Sequence, residues 1–340
     1  MSKNETIVVT GPDLDAAASD LIAQAGFNIA HTPAYPSDDV LVQFMTEFKP
    51  GGVISRMGQF SHVAMDAAPG LQVISKHGAG IDNIDINAAT ERGILVLRAP
   101  GANALSVAEH AVTLMLTVVK QIIPLDHGLR ANRWDKPGFL GREIAGMHLG
   151  LVGFGAIARH TARLAQGFGL HVMAYDPLAS DDLFLKAGVA RCQTLQEMLP
   201  SSDIVSLHCP LLPATRHLIN ADSMAQMRPG SYLINTARGG LIDEAALLDA
   251  LQTGHLAGAG LDTFEHEPPA ADNALLQHRA LVATPHIAGV TSAAGRRVGI
   301  AAVSGVITLL SGGDIAPDRI VNPEILENGS ARLHSSAAAE

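Results

Sequence analysis

Cysteine and clustered positive charge are both scarce in this 340-residue sequence. Its two cysteines, Cys192 and Cys209, are too few for a disulfide framework and lack metal-ligand spacing, which is typical of a protein from a reducing compartment. The net charge is -10, and no dense basic run occurs, although a nucleic-acid-binding surface needs a Lys/Arg-rich face. Both scarcities predict a cytoplasmic protein that does not bind nucleic acid.

A secretion signal and an uninterrupted apolar span are also missing. The N-terminus (MSKNE) is short and polar, unlike the basic and then apolar start of a signal peptide. The most apolar stretch, residues 104–123, is interrupted by Glu109, His110 and Lys120 and falls short of the roughly 20 apolar residues of a membrane helix. We therefore expect no membrane partner. The motifs HExxH, GxxxxGK[ST] and GxSxG do not occur either, and we expect no metal.

What the sequence does contain is a series of short β-branched runs separated by helical segments. Predicted strands lie at residues 7–9, 27–29, 52–54, 71–74 and 94–97, and then at 149–152, 171–175, 203–207, 231–234, 257–259 and 280–283. Strands that alternate with helices indicate parallel βαβ units. A chain of this length accommodates two domains. The predicted fold class is therefore α/β, with two Rossmann-like domains built on parallel sheets.

Helical periodicity marks two apolar segments beside these strand series. Apolar residues recur at helical spacing across residues 104–123, which predicts a packing helix. Residues 124–146, with the only tryptophan, Trp134, have no clear period and indicate an irregular excursion, either a subunit contact or a surface loop. Residues 293–310 are again helical and could return the chain to the first domain. The Ser/Ala-rich residues 328–340 are predicted to form a disordered tail.

A glycine-rich turn joins one predicted strand to the next helix at residues 149–158 (LGLVGFGAIA). Gly153 permits a tight turn, and Gly155 lets the backbone approach a pyrophosphate at the helix N-terminus. Asp176 ends the following strand, where a carboxylate accepts hydrogen bonds from ribose hydroxyls and repels a 2′-phosphate. These features predict a site for NAD rather than NADP.

Several side chains suited to acid–base or anion-binding chemistry follow predicted strands, where ligands gather in parallel sheets. His77, His208 and His286 each follow a strand, and a histidine can exchange a proton with a hydroxyl or carbonyl oxygen. Arg238 follows the strand at 231–234, and its guanidinium suits a substrate carboxylate.

An acidic segment at residues 262–269 (DTFEHEPP) follows another predicted strand. A carboxylate beside a histidine fixes the tautomer of the imidazole and raises its pKa. Glu267 is one candidate for this partner. Spacing alone does not distinguish it from Asp262 or Glu265.

Six separate segments resemble the D-isomer-specific 2-hydroxyacid dehydrogenase family. They are residues 77–85 (HGAGIDNID), 106–109 (SVAE), 149–158 (LGLVGFGAIA), 235–239 (NTARG), 264–268 (FEHEP) and 284–289 (TPHIAG). The resemblance is nearest to the phosphoglycerate dehydrogenase and hydroxypyruvate reductase branch. It implies NAD-dependent interconversion of a small D-2-hydroxy acid and its 2-keto acid, of the 3-phosphoglycerate, glycerate/hydroxypyruvate or glycolate/glyoxylate type.

The resemblance also implies roles for individual residues. The family's catalytic arginine, glutamate and histidine correspond to Arg238, Glu267 and His286. The implied cofactor contacts are Gly153, Gly155, Ala156, Ile157, Asp176, His208, Cys209, Pro210, Thr236, Ala237, Asp262 and Gly289. The implied substrate contacts are Arg56, His77, Gly78, Ala79 and Gly80, of which the last three would bind the substrate carboxylate through backbone amides.

The family's topology implies a domain arrangement as well. Residues 1–103 and 290–327 would form the substrate domain and residues 104–289 the NAD-binding domain, with the active site in the interdomain cleft. A homodimer through the NAD-binding domain is expected, using the helix at residue 104 and the loop bearing Trp134. The alternative is a non-catalytic NAD-sensing regulator of the same fold, against which the catalytic residues weigh. Formate or phosphite oxidation is an alternative chemistry without positive support.

Overall fold

The computed structural model describes residues 5–327, within which strands and helices alternate. The strands of this range are β1 (Thr6–Val9), β2 (Asn28–His31), β3 (Gly52–Ser55), β4 (Val73–Lys76), β5 (Leu95–Leu97), β6 (His148–Val152), β7 (His171–Tyr175), β8 (Ala190–Arg191), β9 (Ile204–Leu207), β10 (Ser231–Asn235), β11 (Leu256–Leu261) and β12 (Leu281–Ala283). The α-helices of this range are α1 (Ala16–Gln24), α2 (Asp38–Phe48), α3 (His62–Asp66), α4 (Ile86–Glu91), α5 (Ala104–Val119), α6 (Ile122–Arg130), α7 (Ala156–Gly167), α8 (Asp181–Ala187), α9 (Leu195–Met198), α10 (Ala221–Gln226), α11 (Glu244–Gln252), α12 (Ser292–Leu310) and α13 (Glu324–Glu327). The predicted tail at 328–340 lies outside the described residues.

The tertiary contacts divide the chain into two compact units. Within the described residues, the first comprises 5–103 with 290–327 and is called the split unit here, and the second comprises Ala104–Gly289 and is called the central unit. Each unit contains one parallel sheet. The predicted α/β fold with two Rossmann-like parallel-sheet domains is thereby confirmed.

The sheet of the split unit has five strands in the order β2-β1-β3-β4-β5. Its central strands are covered on both faces, as expected for parallel strands with crossover helices. Val8 and Val53 face a core that includes α2 and α3, whereas Ile7 and Ile54 face a core that includes α1 and α12. Successive residues of β1 and β3 thus supply two separate hydrophobic cores.

Helix α12 corresponds to the helix predicted at residues 293–310. It begins after the N-cap Thr291, whose hydroxyl accepts a hydrogen bond from Ala294 N at 3.0 Å. By length and composition the helix could cross a membrane, but 44% of it is buried inside the protein. It packs against α1, β3 and β4, which is the position of a core helix in an α/β unit.

The sheet of the central unit has seven strands in the order β12-β11-β10-β9-β6-β7-β8. Both β7 and β9 pair with β6, so the strand order reverses there, and ligands bind beyond the carboxyl ends of strands at such a point. Leu151 and Ile234 face a core that includes α5 and α7, whereas Val152 and Leu233 face a core that includes α10 and α11. The segment after β6 is the glycine-rich turn.

The helix predicted over residues 104–123 is wrong at its C-terminal end. Helix α5 stops at Val119 and α6 follows at an angle of 59°, so part of the excursion predicted at 124–146 is helical. Between the two helices Gln121 has a left-handed backbone with φ +53°, which a right-handed helix cannot contain. Apolar residues continue across this break, so periodicity alone could not locate it.

Candidate active site

The glycine-rich turn connects β6 to α7, as the sequence predicts. Gly153 has φ +90°, and a Cβ there would lie 2.9 Å from the backbone N of Cys209. Gly155 is the N-cap of the 12-residue helix α7, and a Cβ there would meet no heavy atom within 4 Å. Gly153 is therefore required by the fold itself, whereas Gly155 leaves open space beside backbone N–H groups that attract anions.

Asp176 follows β7 and holds this turn in place. Its Oδ2 accepts a hydrogen bond from Phe154 N at 2.8 Å. Its Oδ1 accepts from Leu178 N at 2.8 Å and from Ala179 N at 3.1 Å. A carboxylate has about four acceptor positions, so capacity for a ribose hydroxyl remains. Sequence reasoning predicted the ribose contact but not the anchoring of the turn.

Three buried polar atoms that follow neighbouring strands of the central sheet have no hydrogen-bond partner among the described residues. They are His208 Nδ1, after β9, Thr236 Oγ1, after β10, and Thr263 Oγ1, after β11. Burial lowers the pKa of His208 to about 3, so this imidazole is neutral at physiological pH. Buried polar atoms nearly always have a partner in a protein, and a polar cofactor with hydroxyl and amide groups fits these positions.

The other predicted cofactor contacts also follow strands of the central sheet. They are Ala156 and Ile157 in the first turn of α7, Cys209 and Pro210 after β9, Ala237 after β10, Asp262 after β11 and Gly289 after β12. Burial, together with the charge of Asp176, raises the pKa of Cys209 to about 11 although a backbone hydrogen bond opposes this shift. Cys209 is therefore a protonated thiol and not a nucleophile.

His286 and Glu267 form a hydrogen-bonded pair in the central unit. His286 Nδ1 lies 2.7 Å from Glu267 Oε2, and Glu267 Oε1 accepts from Phe264 N at 3.0 Å. Partial burial raises the pKa of Glu267, but these two hydrogen bonds and the charges of His286 and Arg238 outweigh it, so the pKa lies below its ordinary value.

The pairing fixes the tautomer of His286. An ionised carboxylate only accepts hydrogen bonds, so Nδ1 of His286 carries a hydrogen and donates it to Glu267. The other ring nitrogen, Nε2, is then left to exchange a proton. The side chain of His286 is half exposed, as a group that meets a substrate must be.

The structure separates the three carboxylates that spacing alone left equivalent. Glu265 accepts a hydrogen bond from His217 Nε2 at 3.0 Å and pairs with Arg216. Asp262 is completely buried. Of these three carboxylates, that of Glu267 is hydrogen-bonded to the imidazole of His286.

Arg238 follows β10, and the backbone around it is fixed by its neighbours. Asn235 Nδ2 donates to Arg238 O at 2.8 Å, and Asn235 Oδ1 accepts from Ala237 N at 3.0 Å. A Cβ on Gly239 would lie 1.9 Å from the carbonyl carbon of Phe264, so glycine is needed for this close approach. The loop of Arg238 thus packs directly against the loop that carries Glu267.

In the split unit, Arg56 follows β3 and His77 follows β4. Arg56 Nη1 donates to the carbonyl oxygens of Pro12 at 2.6 Å and Asp13 at 2.7 Å. Burial, with the charges of Arg56 and Lys76, lowers the pKa of His77 to about 4 although a backbone hydrogen bond opposes this shift. His77 is therefore neutral at pH 7 and supplies no positive charge to a ligand.

Lys76, at the end of β4, was not identified from the sequence. Its Nζ donates to Asn83 Oδ1 at 2.6 Å and to Arg56 O at 3.4 Å. A lysine at a strand end belongs to no motif, and only the fold brings it beside Arg56. The residues 78–80 that follow form the predicted carboxylate-binding loop, and Gly78 has the left-handed backbone φ +151°.

Comparisons with known proteins agree with this geometry. The family model described as "D-isomer specific 2-hydroxyacid dehydrogenase, NAD binding domain" matches residues 112–288. The (S)-sulfolactate dehydrogenase of Chromohalobacter salexigens is 46% identical over 230 residues, which are 68% of this chain and 74% of that protein.

A D-3-phosphoglycerate dehydrogenase from Archaeoglobus fulgidus is 39% identical over 248 residues, which are 73% of this chain. The chain spans only about half (47%) of that relative's length. Among solved structures, the TT0316 protein from Thermus thermophilus superposes with a TM-score of 0.84 at 31% identity, covering 93% of this chain and 99% of that one.

The named relatives are dehydrogenases, which favours the catalytic interpretation over a non-catalytic regulator. The predicted family and the predicted cofactor, NAD, are both confirmed. The chain belongs to the D-isomer-specific 2-hydroxyacid dehydrogenases and is an NAD-dependent oxidoreductase.

Proposed function

We propose that this protein interconverts a small D-2-hydroxy acid and its 2-keto acid, with His286 as the general acid and base. The observation that carries the proposal is the 2.7 Å hydrogen bond between His286 Nδ1 and Glu267 Oε2. A half-exposed histidine oriented by an ionised carboxylate is a common acid–base arrangement in enzymes.

NAD supplies or accepts the hydride when it is bound. Its pyrophosphate would lie against the backbone at Gly153 and Gly155 and its ribose hydroxyls against Asp176. The unpartnered atoms of His208 and Thr236 are suited to further polar contacts. The remaining predicted cofactor contacts keep the same role.

His286 moves the proton that accompanies the reaction. In the reducing direction Nε2 donates a proton to the carbonyl oxygen of the keto acid, and in the oxidising direction it takes a proton from the hydroxyl. The positive charge that His286 carries before donating is stabilised by Glu267, whose pKa is held below its ordinary value.

Arg238 and the loop at residues 78–80 are proposed to bind the substrate carboxylate. A guanidinium offers two parallel N–H donors to a carboxylate. The charge of Arg238 contributes to lowering the pKa of Glu267, which supports its assignment to the neighbourhood of His286. Gly78, Ala79 and Gly80 would contribute backbone N–H groups.

We further propose that the substrate carries a second anionic group on its third carbon. Two relatives are named for substrates of this kind, a sulfonate in sulfolactate and a phosphate in phosphoglycerate. Arg56 and Lys76 supply the positive charge at the ends of β3 and β4. His77, with a pKa of about 4, contributes hydrogen bonding rather than charge.

A substrate panel tests both parts of this proposal. NADH oxidation is followed with 3-phosphohydroxypyruvate, 3-sulfopyruvate, hydroxypyruvate, glyoxylate and pyruvate. We expect turnover with 2-keto acids as a class and the highest kcat/KM for the first two. Turnover of only the compounds without a second anionic group would remove that group from the proposal, and no turnover of any keto acid would contradict the function itself.

We also propose that the protein forms a homodimer through α6 and the segment after it. Large apolar side chains are exposed there, notably Leu129 (59% exposed), Trp134 (71%) and Leu140 (91%). Exposed large apolar side chains of this kind mark interaction sites, and a second copy of the same segment would cover them. Light scattering should give twice the chain mass, and Leu140→Glu should shift it towards the monomer. A monomeric wild type would refute the proposal.

A cytoplasmic location is proposed on separate grounds. Cys192 and Cys209 are both free thiols, as expected in a reducing compartment. Cell fractionation with an antibody against the chain would check it, and recovery outside the cytoplasmic fraction would contradict it.

A further inference from the structure

Asp262, at the start of the loop after β11, is completely buried and accepts three hydrogen bonds through its carboxylate. Its Oδ1 accepts from Thr284 Oγ1 at 2.6 Å and from Ile287 N at 2.9 Å, and its Oδ2 accepts from Ala288 N at 2.8 Å. Burying a carboxylate is costly unless donors surround it. Three donors converge here, and all belong to the segment on either side of His286.

The backbone of His286 is held by the same aspartate. His286 has the left-handed backbone φ +53°, which is unfavourable for a residue with a side chain and persists only where neighbours enforce it. Its N–H donates to Asp262 O at 2.8 Å and to Thr284 O at 3.1 Å. Asp262 therefore binds residue 286 through its carbonyl oxygen and the next two residues through its carboxylate.

Thr284 links Asp262 to helix α5 through a hydrogen bond with His110. His110 Nε2 lies 2.9 Å from Thr284 Oγ1 and 3.6 Å from Asp262 Oδ1. The threonine hydroxyl has one hydrogen, which it donates to the carboxylate because a carboxylate only accepts. His110 must then donate to Thr284, so the hydrogen bonds all run from the helix towards Asp262.

Helix α5 is a rigid support for this chain of hydrogen bonds. Ala111, Leu114 and Met115 next to His110 are buried in the hydrophobic core of the central unit, and the helix packs against β10, β11 and β12. His110 directly follows the segment at residues 106–109, which resembles the family in sequence but has no role in the proposed chemistry.

We propose that His110 and Thr284 are positioning residues that act through Asp262 to hold His286 in its left-handed backbone conformation. This inference rests on the proposed role of His286 as the general acid and base. A displacement of about 1 Å at a reacting group can lower turnover a hundredfold, so a network that fixes the backbone of His286 has a direct effect on kcat.

Four variants test the network. Thr284→Val removes the hydroxyl without changing the shape of the side chain, and His110→Phe removes the donor. The double variant combines them, and Thr284→Ser restores a hydroxyl. Thr113→Val is the matched control, since Thr113 lies one turn along the same helix and its hydroxyl bonds to a backbone carbonyl at 2.8 Å.

The expected result is a lower kcat with little change in cofactor binding. Thr284→Val should lower kcat about tenfold, with the NADH Kd from fluorescence titration within twofold of wild type. Because kcat is expressed per NADH-binding site, unfolded protein does not contribute to the loss. Thr284→Ser should recover most of the activity, and Thr113→Val should match wild type.

The double variant decides whether His110 acts through Thr284. If it does, the double variant should have the kcat of Thr284→Val, because the second change removes an interaction that is already lost. If the losses of kcat in the two single variants instead multiply in the double variant, His110 acts independently of Thr284, which would contradict the inference. A kcat within twofold of wild type in both single variants, or a weaker NADH Kd with unchanged kcat, would also overturn the inference.

His286→Asn separates a failure of this inference from a failure of the proposed function. If that variant is inactive while the His110 and Thr284 variants are normal, only the network is refuted. If His286→Asn itself turns over normally, the proposed function fails whatever the network does.

Discussion

The two units use the same parallel βαβ design but fix their functional side chains differently. In the central unit, Asp176, Asp262 and Glu267 accept hydrogen bonds from backbone N–H groups, those of Asp176 and Asp262 including donors from a neighbouring loop. In the split unit, Arg56 and Lys76 are long cationic side chains that donate to carbonyl and amide oxygens. Under the proposed function, the backbone of the central unit fixes the acid–base group, whereas Arg56 and Lys76 of the split unit are proposed to recognise the second anion of the substrate.

The strand-end histidines show the same contrast. His208 in the central unit and His77 in the split unit have pKa values lowered by burial to about 3 and about 4. Both are neutral at physiological pH, whereas His286 is half exposed and paired with a carboxylate. Three histidines in equivalent sequence positions therefore have three environments, and only one suits acid–base chemistry.

After substitution of His286 itself, the largest effect is expected from Glu267→Gln in the central unit. The amide cannot stabilise a charged His286 as a carboxylate does, so kcat should fall on the order of 10²-fold, within the range of an acid–base contribution. Steady-state NADH oxidation measures it. Glu265→Gln is the matched control, because Glu265 pairs with Arg216 and His217 instead. Equal losses in both variants would show that the pair with His286 has no special role.

The lowered pKa of Glu267 also predicts how stability and turnover depend on pH in acid. Its pKa is lowered on folding, so the unfolded state binds a proton at a higher pH than the folded state does. The stabilising contribution of Glu267 is therefore present above its ordinary pKa and is lost as the pH falls through the lowered one. Glu267 should stay ionised between pH 5 and pH 8, so kcat should not fall in this range through protonation of this carboxylate. A loss of wild-type kcat in that range that Glu267→Gln abolishes would contradict this assignment.

Arg56→Met and Lys76→Met should have the next largest effect, and a selective one. Loss of one charged hydrogen bond should lower kcat/KM for 3-phosphohydroxypyruvate or 3-sulfopyruvate by about 10- to 100-fold. The value for pyruvate should change much less, because pyruvate has no second anion. A uniform loss across all keto acids would mean that these residues support the fold rather than select the substrate.

A smaller effect is expected for Asp176→Ala. Removing the carboxylate removes its repulsion of a 2′-phosphate, so the NADP/NAD ratio of kcat/KM should rise on the order of tenfold. The KM for NAD should also rise, since Phe154 N loses its acceptor. Parallel assays with both cofactors measure the ratio. An unchanged ratio would contradict the assignment of Asp176 as the acceptor for the ribose hydroxyls of NAD.

The smallest effect is a change in pH-dependent stability through His77. Its pKa is about 4 in the folded chain and about 6.5 as an ordinary value, so between these values the unfolded state binds the additional proton. Stability should rise with pH from about 4 to about 6.5 and then level off. His77→Gln should flatten the dependence of Tm on pH in this window. An identical slope in the variant would contradict the buried neutral state.

Much of the fold could be predicted from the sequence, because short β-branched runs and helical periodicity report burial directly. Strand β8 was missed, since Ala190–Arg191 is too short to show a period. The break at Gln121 was missed because a left-handed backbone leaves no apolar signature.

The candidate site could be predicted in type but not in geometry. Gly153, Asp176 and His286 belong to recognisable segments, whereas the choice of Glu267 over Glu265 depends on which carboxylate of one loop reaches the imidazole of His286. Lys76 and His110 were missed because their roles arise from contacts between residues distant in the chain. Such contacts do not follow from spacing.

The central claim is that His286 transfers the proton during reduction of a 2-keto acid. The most direct measurement is the kcat of His286→Asn with the best keto acid of the panel, accompanied by fluorescence titration with NADH. The account predicts a fall in kcat of about 10²- to 10⁴-fold with the NADH Kd nearly unchanged. A kcat within a fewfold of wild type would contradict it.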